Sequence, residues 1–255
     1  MSERIRLGGM ALGNGVLVHG PSSWACAVRT EDGELKVAAA RKRFRAADVA
    51  NPLLRGPARL AEVFALLPVV KRALPEARLP MQRPHVLASM LGSALLVQGV
   101  RRTAVRPLAR ELVTALLSAA PAALALRGGE LAAYHGAEHI SIGSYEHGEA
   151  RPREHERCGS HLVGPMLLTT AAGNLAAERA PERLRGTARV AGALGAVAAS
   201  VEIFGWMTRH PESRVARALA LPGHELQHRF GTREPTPEQL EVAEAALRAC
   251  LELER

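Results

Sequence analysis

The sequence predicts a mainly α-helical chain with about four apolar, membrane-spanning helices, a small β-rich N-terminal module and a C-terminal amphipathic helix. Four nearly charge-free runs rich in Ala, Leu, Gly and Val carry this prediction, at residues 86–100, 112–126, 162–177 and 190–207. Small residues of this kind permit the close helix packing found in bilayers. Each run, however, falls short of the roughly 20 apolar residues that a comfortable span needs. Arginine-rich connectors between the runs also conflict with a simple orientation, so packed helices that do not cross a bilayer are the alternative.

The N-terminal third is predicted to contain two regions. Residues 1–45 form the β-rich module, because glycines punctuate short apolar runs and Asp32-Gly33 is typical of a hairpin turn. Residues 46–84 form an amphipathic helix and a proline-rich linker. Helical spacing of apolar residues over 53–74, with Arg55-Gly56-Pro57 as a start signal, places that helix.

Residues 85–255 are predicted as a helical membrane domain. Within it we expect a histidine-rich metal-site region at 134–161 and a C-terminal helix at 236–254. The start of that last helix is indicated by an N-cap residue, a proline at the first helical position and a capping-box residue, namely Thr236, Pro237 and Gln239.

Composition limits the class of partner and the compartment. The chain has 33 Lys and Arg against 25 Asp and Glu, a net charge of +8 that suits an anionic membrane surface or nucleic acid. Only 3% of residues are aromatic, and single-stranded nucleic acids need stacking aromatics, so no nucleic-acid partner is expected. Three distant cysteines, Cys26, Cys158 and Cys250, imply no disulfide framework and favour a reducing compartment. The first residues lack the apolar segment of a secretory signal peptide.

The motif His135-Gly136-Ala137-Glu138-His139 is the strongest local indication of chemistry. Residues four apart share one side of a helix, so both imidazoles can bind one divalent metal. The order H-x-x-E-H is the inverted form of a zinc motif in which the glutamate acts as general base. The alternative is a polar surface helix whose histidines lie in water.

Further ligand-type residues follow the motif closely. Five of the ten histidines, at 135, 139, 147, 155 and 161, fall within 27 residues. We expect His135 and His139 as the first metal ligands, Glu146 or His155 as the third, and Glu138 as the catalytic base. Cys158 is a possible fourth ligand or a catalytic nucleophile, and its alternative is a small buried residue. Zinc is the expected ion.

A second motif competes with the first. His224-Glu225-Leu226-Gln227-His228 has the ordinary zincin order H-E-x-x-H. Pro222-Gly223 directly before it would place His224 in a first helical turn, and Arg229 to Gly231 would end the helix soon after His228. A turn of surface helix is therefore the favoured interpretation of this pair.

The chain resembles the YqhQ-like family of bacterial membrane proteins, which contain a domain of unknown function and are described as predicted metal-dependent enzymes. The resemblance covers nearly the whole length, with motifs in the same order and at similar spacing. They are Gly8-Gly9 through Gly20-Pro21, Leu54-Arg55-Gly56, His135-Gly136-Ala137-Glu138-His139 with Tyr145-Glu146, His155-Glu156-Arg157-Cys158-Gly159-Ser160, and Thr232-Arg233-Glu234-Pro235 ahead of Gln239.

The resemblance implies a multi-pass membrane protein and a polar centre made of His135, Glu138, His139, Glu146, His155 and Cys158, with Glu202 as a further member. An ionisable residue within an apolar run is by default a functional hypothesis. Three departures matter: Ile140 stands where the family commonly has lysine, Asn14 where it commonly has glutamate, and the apolar segments are shorter. These departures leave altered or lost activity as an open alternative.

The function expected from these observations is that of a metal-dependent protein embedded in the cell inner membrane as a multi-pass protein, hydrolytic if it is an enzyme, with Glu138 as base. The alternative function is a non-catalytic membrane scaffold or regulator with a structural metal or none. The alternative location is the cytoplasm, with peripheral attachment to the membrane through the basic face. The expected partner is the lipid membrane, and the sequence indicates neither the substrate nor the oligomeric state.

Overall fold

Four antiparallel strands begin the fold, and eight α-helices follow them in the described part of the chain. The structure, a computed structural model, describes residues 4–43, 45–82, 84–103, 106–126 and 129–255. The strands are β1 (Gly8–Leu12), β2 (Gly15–His19), β3 (Ser23–Arg29) and β4 (Leu35–Arg41). The helices are α1 (Pro52–Ala73), α2 (Pro84–Arg101), α3 (Pro107–Leu126), α4 (Glu130–His147), α5 (Val163–Glu178), α6 (Arg185–Arg209), α7 (Arg214–Leu226) and α8 (Pro237–Glu254).

Short turns of helix connect some of these elements. They are the 3-10 turns Ala46–Asp48, Pro80–Gln82, Gly159–Leu162 and Glu182–Leu184, and the π-helical turn Gln227–Gly231. A mainly helical chain with a small N-terminal sheet is therefore confirmed. The predicted division into three regions stays a prediction, and residues 1–3, 44 and 83 of its first two regions lie outside the described part.

The sheet is covered by helices on both faces. Its strands are ordered β1-β2-β3-β4, each antiparallel to the next. Side chains alternate between the faces of a strand, so Val16 and Val18 of β2 pack with α4 and α8, whereas Leu17 packs with Leu67 and Val70 of α1. All three β2 residues are fully buried. This arrangement fixes α4, which carries the H-x-x-E-H motif, against the sheet and α8.

The turns of the sheet also explain one departure from the resembled family. Gly33 has φ +86°, which glycine adopts readily, and this confirms the hairpin turn predicted at Asp32-Gly33. The buried Asn14 amide donates to the carbonyl oxygens of Arg29 (2.9 Å) and Glu76 (3.2 Å) and accepts from the backbone N–H of Arg78 (2.9 Å). Because these contacts need both a donor and an acceptor, a carboxylate could not replace this amide.

Both helices predicted from local signals are present, but α1 begins at Pro52, so the predicted start signal Arg55-Gly56-Pro57 lies inside it. The helix expected over 53–74 is α1, and α8 has the predicted capping box, in which Thr236 and Gln239 satisfy each other's backbone N–H groups. The four apolar runs lie in α2, α3, α5 and α6. These helices pack in two pairs, α2 with α3 and α5 with α6.

The prediction of four membrane-spanning helices is wrong in number. Among the described residues only one helical segment, Glu182–Arg209, is long and apolar enough to cross a membrane. Helix α5 has 16 residues, or roughly 24 Å at 1.5 Å per residue, which is shorter than the bilayer core. The other two runs are only 15 residues long: Arg101 follows the run in α2, which also contains Gln98, and Arg110 and Glu111 precede the run in α3. The structure is consistent with membrane association and not with a multi-pass topology.

Candidate metal centre

Helix α4 places two imidazole rings side by side. His135 and His139 lie one turn apart, and their ring centroids are 4.3 Å from each other. His139 is 2% exposed, while His135 is half-buried. The surface-helix alternative therefore does not describe this motif, because α4 is held between β1, β2 and α8 over most of its length.

Backbone carbonyl groups orient both rings. His135 Nδ1 is 2.7 Å from the Gly231 oxygen, and His139 Nδ1 is 2.6 Å from the Arg153 oxygen. A carbonyl oxygen can only accept, so Nδ1 carries the proton on each ring and, on a neutral ring, Nε2 keeps its lone pair. Burial holds the pKa of His139 below its ordinary value, which favours the neutral ring. This is the outer-shell arrangement commonly found around metal-binding histidines.

A cysteine from a neighbouring loop completes a group of three ligand atoms. Cys158 Sγ lies 3.6 Å from His135 Nε2, and the ligand atoms of His135, His139 and Cys158 all lie within 4.8 Å of one another. His139 Nε2 is buried with no hydrogen-bond partner in the described part of the chain. An unpartnered buried nitrogen is costly, and a metal ion bound there would satisfy it. Two nitrogens and one sulfur form a donor set that suits zinc.

The Glu138 carboxyl group lies beside this cluster in a dry environment. It is 6% exposed, and its Oε2 atom has no hydrogen-bond partner among the described residues. Burial raises the pKa of Glu138, while the neighbouring His135 and His155 act in the opposite direction. A Cβ atom at position 9 of β1 would overlap with Glu138 Oε1. Gly9 is thus the residue that leaves room for this carboxyl group.

Glu146 and His155, both predicted as metal ligands, contact each other instead of joining the three ligand atoms. His155 Nε2 is 3.2 Å from Glu146 Oε2, and Arg157 pairs with the other carboxylate oxygen. Burial is the largest single effect on the pKa of Glu146 and opposes ionisation, but His155 and Arg157 together hold that pKa below its ordinary value. The His155 ring is still close, with its centroid 5.5 Å from that of His139.

A cavity of about 490 Å³ opens in front of the cluster. Its polar lining residues include His135, Glu138, His139 and Cys158, together with His19, His155 and Arg157. The rest of its lining is apolar or small and includes Leu7, Met10, Pro80, Ala125, Leu131 and Ile142. The volume falls within the range of roughly 300–1,000 Å³ that is usual for small-molecule sites.

The part of the chain that carries this cluster matches a known family. Residues 130–253 match the family model described as "Protein of unknown function (DUF1385)". The matched segment is just under half of the chain, and it is similar to this family of unknown function. The resemblance to the YqhQ-like family is consistent with this match, although the match does not carry that name. No curated protein and no solved structure gives a significant match to the chain.

Within the matched region, a buried glutamine that was not among the predicted site residues holds the histidine-rich loop together. Gln227 is fully buried. Its Oε1 accepts from the His155 backbone N–H at 2.9 Å, and its Nε2 donates to Ser160 Oγ at 2.7 Å and to His161 Nδ1 at 3.2 Å. Burial lowers the pKa of His161 to about 4, so this ring is a neutral acceptor. Gln227 fixes the loop on both sides of Cys158.

Gln227 belongs to the competing H-E-x-x-H motif, whose histidines lie elsewhere. His224 is exposed and is not in a first turn as predicted, because α7 continues through Pro222 and His224 falls in its last turn. His228 is also exposed and bonds to Glu154 at 3.1 Å. In the described residues, this pair therefore does not converge on a third metal ligand.

Two other residues of the resembled motifs have structural partners. Glu202 of α6 forms a two-pronged ion pair with Arg55 of α1, at 2.7 Å to each carboxylate oxygen, and so lies outside the polar centre. Gly136 lies between His135 and His139 on α4. It leaves room for the segment around Arg233 to cross this helix. A Cβ atom there would overlap with the Arg233 carbonyl oxygen, and the Arg233 N–H donates to the Ala132 oxygen at 2.9 Å.

Proposed function

We propose that this protein is a membrane-associated, metal-dependent hydrolase in which His135, His139 and Cys158 bind a divalent ion, zinc in the first instance, and Glu138 is the general base. The observation that carries the proposal is the convergence of three ligand atoms within 4.8 Å. Orientation of both imidazoles by backbone carbonyl oxygens supports it. Relative to the sequence prediction, Cys158 replaces Glu146 and His155 as a ligand.

Three ligands and an adjoining cavity favour a catalytic role over a structural one. Structural zinc sites usually have four protein ligands, whereas catalytic sites keep one position open. A further candidate ligand, His155, is already paired with Glu146. When bound, the ion would supply Lewis acidity toward water or a carbonyl oxygen.

Glu138 is positioned to accept a proton from the attacking water. Its carboxyl group is next to a ligand histidine on α4, lines the cavity and has an unpartnered oxygen. Burial raises the pKa of this carboxyl group, which makes its ionised form a stronger base, and a bound ion beside it would favour that ionised form. After proton transfer, the same group can donate that proton to the leaving group. His155 and Arg157 also line the cavity, and their contacts with Glu146 hold them in place.

Metal content of the purified protein tests the proposal. By mass spectrometry, we expect about one zinc equivalent per wild-type chain and near-zero metal in His135→Ala/His139→Ala, because two of three ligands are removed. The matched control is His224→Ala/His228→Ala, which removes the other histidine pair with the same spacing and should retain the metal. Metal loss in the control alone would reverse the assignment, and equal near-zero metal in all three proteins would refute a metal site.

We also propose that the protein is bound to the membrane through the helical segment Glu182–Arg209. The supporting observation is the length and apolar character of this segment. A spanning helix should resist alkaline carbonate, which releases peripheral proteins. Full release of the protein from washed bacterial membranes by carbonate would refute a span and favour peripheral attachment. A variant with Leu194→Lys, at an exposed leucine of this helix, should shift the protein toward the soluble fraction if the helix is embedded.

A further inference from the structure

A groove between α2 and α3 continues from the candidate metal centre. Its volume is about 470 Å³, and it shares Pro80 and Ala125 with the cavity in front of His135 and Cys158. Away from the shared residues, its walls come from Val86, Met90, Ala94 and Val97 of α2 and from Ser118 and Pro121 of α3. The two cavities are therefore adjacent, and a ligand at the metal centre could reach this groove past Pro80 and Ala125.

The polar groups in this groove are satisfied internally. Pro121 lies within α3 and has no N–H, so the Leu117 carbonyl oxygen loses its helical partner. Ser93 of α2 donates its hydroxyl to that oxygen at 2.5 Å. Ser118 Oγ is 2.7 Å from the Thr114 oxygen on its own helix. A peptide segment in this groove would leave its amide groups without partners, which is costly, whereas an alkyl chain needs none.

The outer surface of the same helix pair is strongly apolar. Several leucines on it are highly exposed, namely Leu87, Leu91, Leu95 and Leu96 of α2 and Leu116 and Leu124 of α3. An apolar exterior beside an apolar groove fits contact with lipid rather than water. It would allow an alkyl chain to pass from a bilayer into the groove.

We propose that the substrate is a membrane amphiphile whose acyl chain occupies the α2–α3 groove while its hydrolysable group reaches His135, His139 and Cys158. The assignment of a substrate rests on the proposed hydrolase function, whereas the assignment of an acyl-chain site rests on the groove alone. Hydrolysis consumes one water molecule, breaks one bond between headgroup and chain, and needs no oxidant or reductant.

Photo-crosslinking in vesicles tests the groove. The full-length protein, reconstituted in phosphatidylcholine vesicles with a trace of lysophosphatidylcholine carrying a diazirine near its chain end, is irradiated and its adducts are mapped by mass spectrometry. We expect adducts on groove residues such as Met90 and Val97. Filling the groove by Ala94→Trp should lower that yield by about tenfold or more, and the matched control Leu95→Trp, on the outer surface, should leave it within about twofold. If Ala94→Trp fails to fold, Val97→Trp serves the same purpose.

Two outcomes would overturn the acyl-chain site. One is labelling spread evenly over the outer leucines, with the same yield in Ala94→Trp and Leu95→Trp. The other is a wild-type dimer in light scattering that Ala94→Trp abolishes, which would make a second copy the occupant. Groove labelling in a protein without metal would refute the hydrolase and leave a lipid-binding site. Metal without groove labelling would refute the groove and leave the hydrolase.

Discussion

Replacing Glu138 by glutamine is expected to slow hydrolysis by about 100-fold or more, because an amide of the same shape cannot accept the proton from water. The metal content should stay at the wild-type level, since Glu138 is not one of the three ligands. The measurement is a pair of assays on the same preparation: hydrolysis of p-nitrophenyl acyl esters and metal by mass spectrometry. Loss of rate with retained metal would separate a base from a ligand.

Glu130→Gln is the matched control for that experiment. Glu130 begins the same helix but is exposed, so its replacement should change neither the rate nor the metal content. Equal rates in wild type and Glu138→Gln would contradict the role of Glu138 as base. A wild-type protein that binds metal and hydrolyses none of the esters would favour the scaffold alternative.

Replacing Gly136 by alanine is expected to destabilise the protein and weaken metal binding together. Alanine normally stabilises a helix relative to glycine by about 1 kcal/mol. Here the new Cβ would overlap with a backbone atom, the Arg233 oxygen, and the crossing segment would have to move. We expect a net loss of about 1–3 kcal/mol in the free energy of unfolding, typical of overpacking.

The same displacement should reach the metal through His135. The crossing segment carries the Gly231 carbonyl oxygen that accepts from His135 Nδ1, and loss of such an outer-shell contact typically costs about 10–100-fold in metal affinity. Urea denaturation and zinc titration measure the two effects. Gly99→Ala is the control, because a Cβ atom at Gly99 meets no other residue. An unchanged zinc affinity in Gly136→Ala would contradict the proposed link.

The secondary structure was largely predictable because its signals are local. Helix α8 begins at the predicted cap because the hydrogen bonds between Thr236 and Gln239 lie within one helical turn. The turn at Asp32-Gly33 depends on the positive φ of Gly33, which is a local property of glycine. The number of membrane spans was not predictable from composition alone. Alanine- and leucine-rich runs occur in packed helical pairs as well as in bilayers, and the runs in α2, α3 and α5 proved too short for a span.

The candidate site was predictable where the spacing lies within one helix. His135, Glu138 and His139 share α4, so the motif alone placed them together. Cys158 and His155 come from a loop whose path depends on Gln227, a residue 72 positions from His155. No local pattern indicates that Gln227 is buried, or that Glu146 would pair with His155 and Arg157 rather than face the two ligand histidines.

Cobalt substitution tests the three-ligand centre most directly. Cobalt(II) bound to a thiolate absorbs in the near ultraviolet through sulfur-to-metal charge transfer, and imidazole or carboxylate ligands do not produce this band. We expect the band in the cobalt-loaded wild type and in the control Cys26→Ala. The Cys26 thiol is buried in the core between the sheet and α1. We expect it to disappear in Cys158→Ser. A wild-type spectrum without the band, or a band that persists in Cys158→Ser, would contradict a metal centre made of His135, His139 and Cys158.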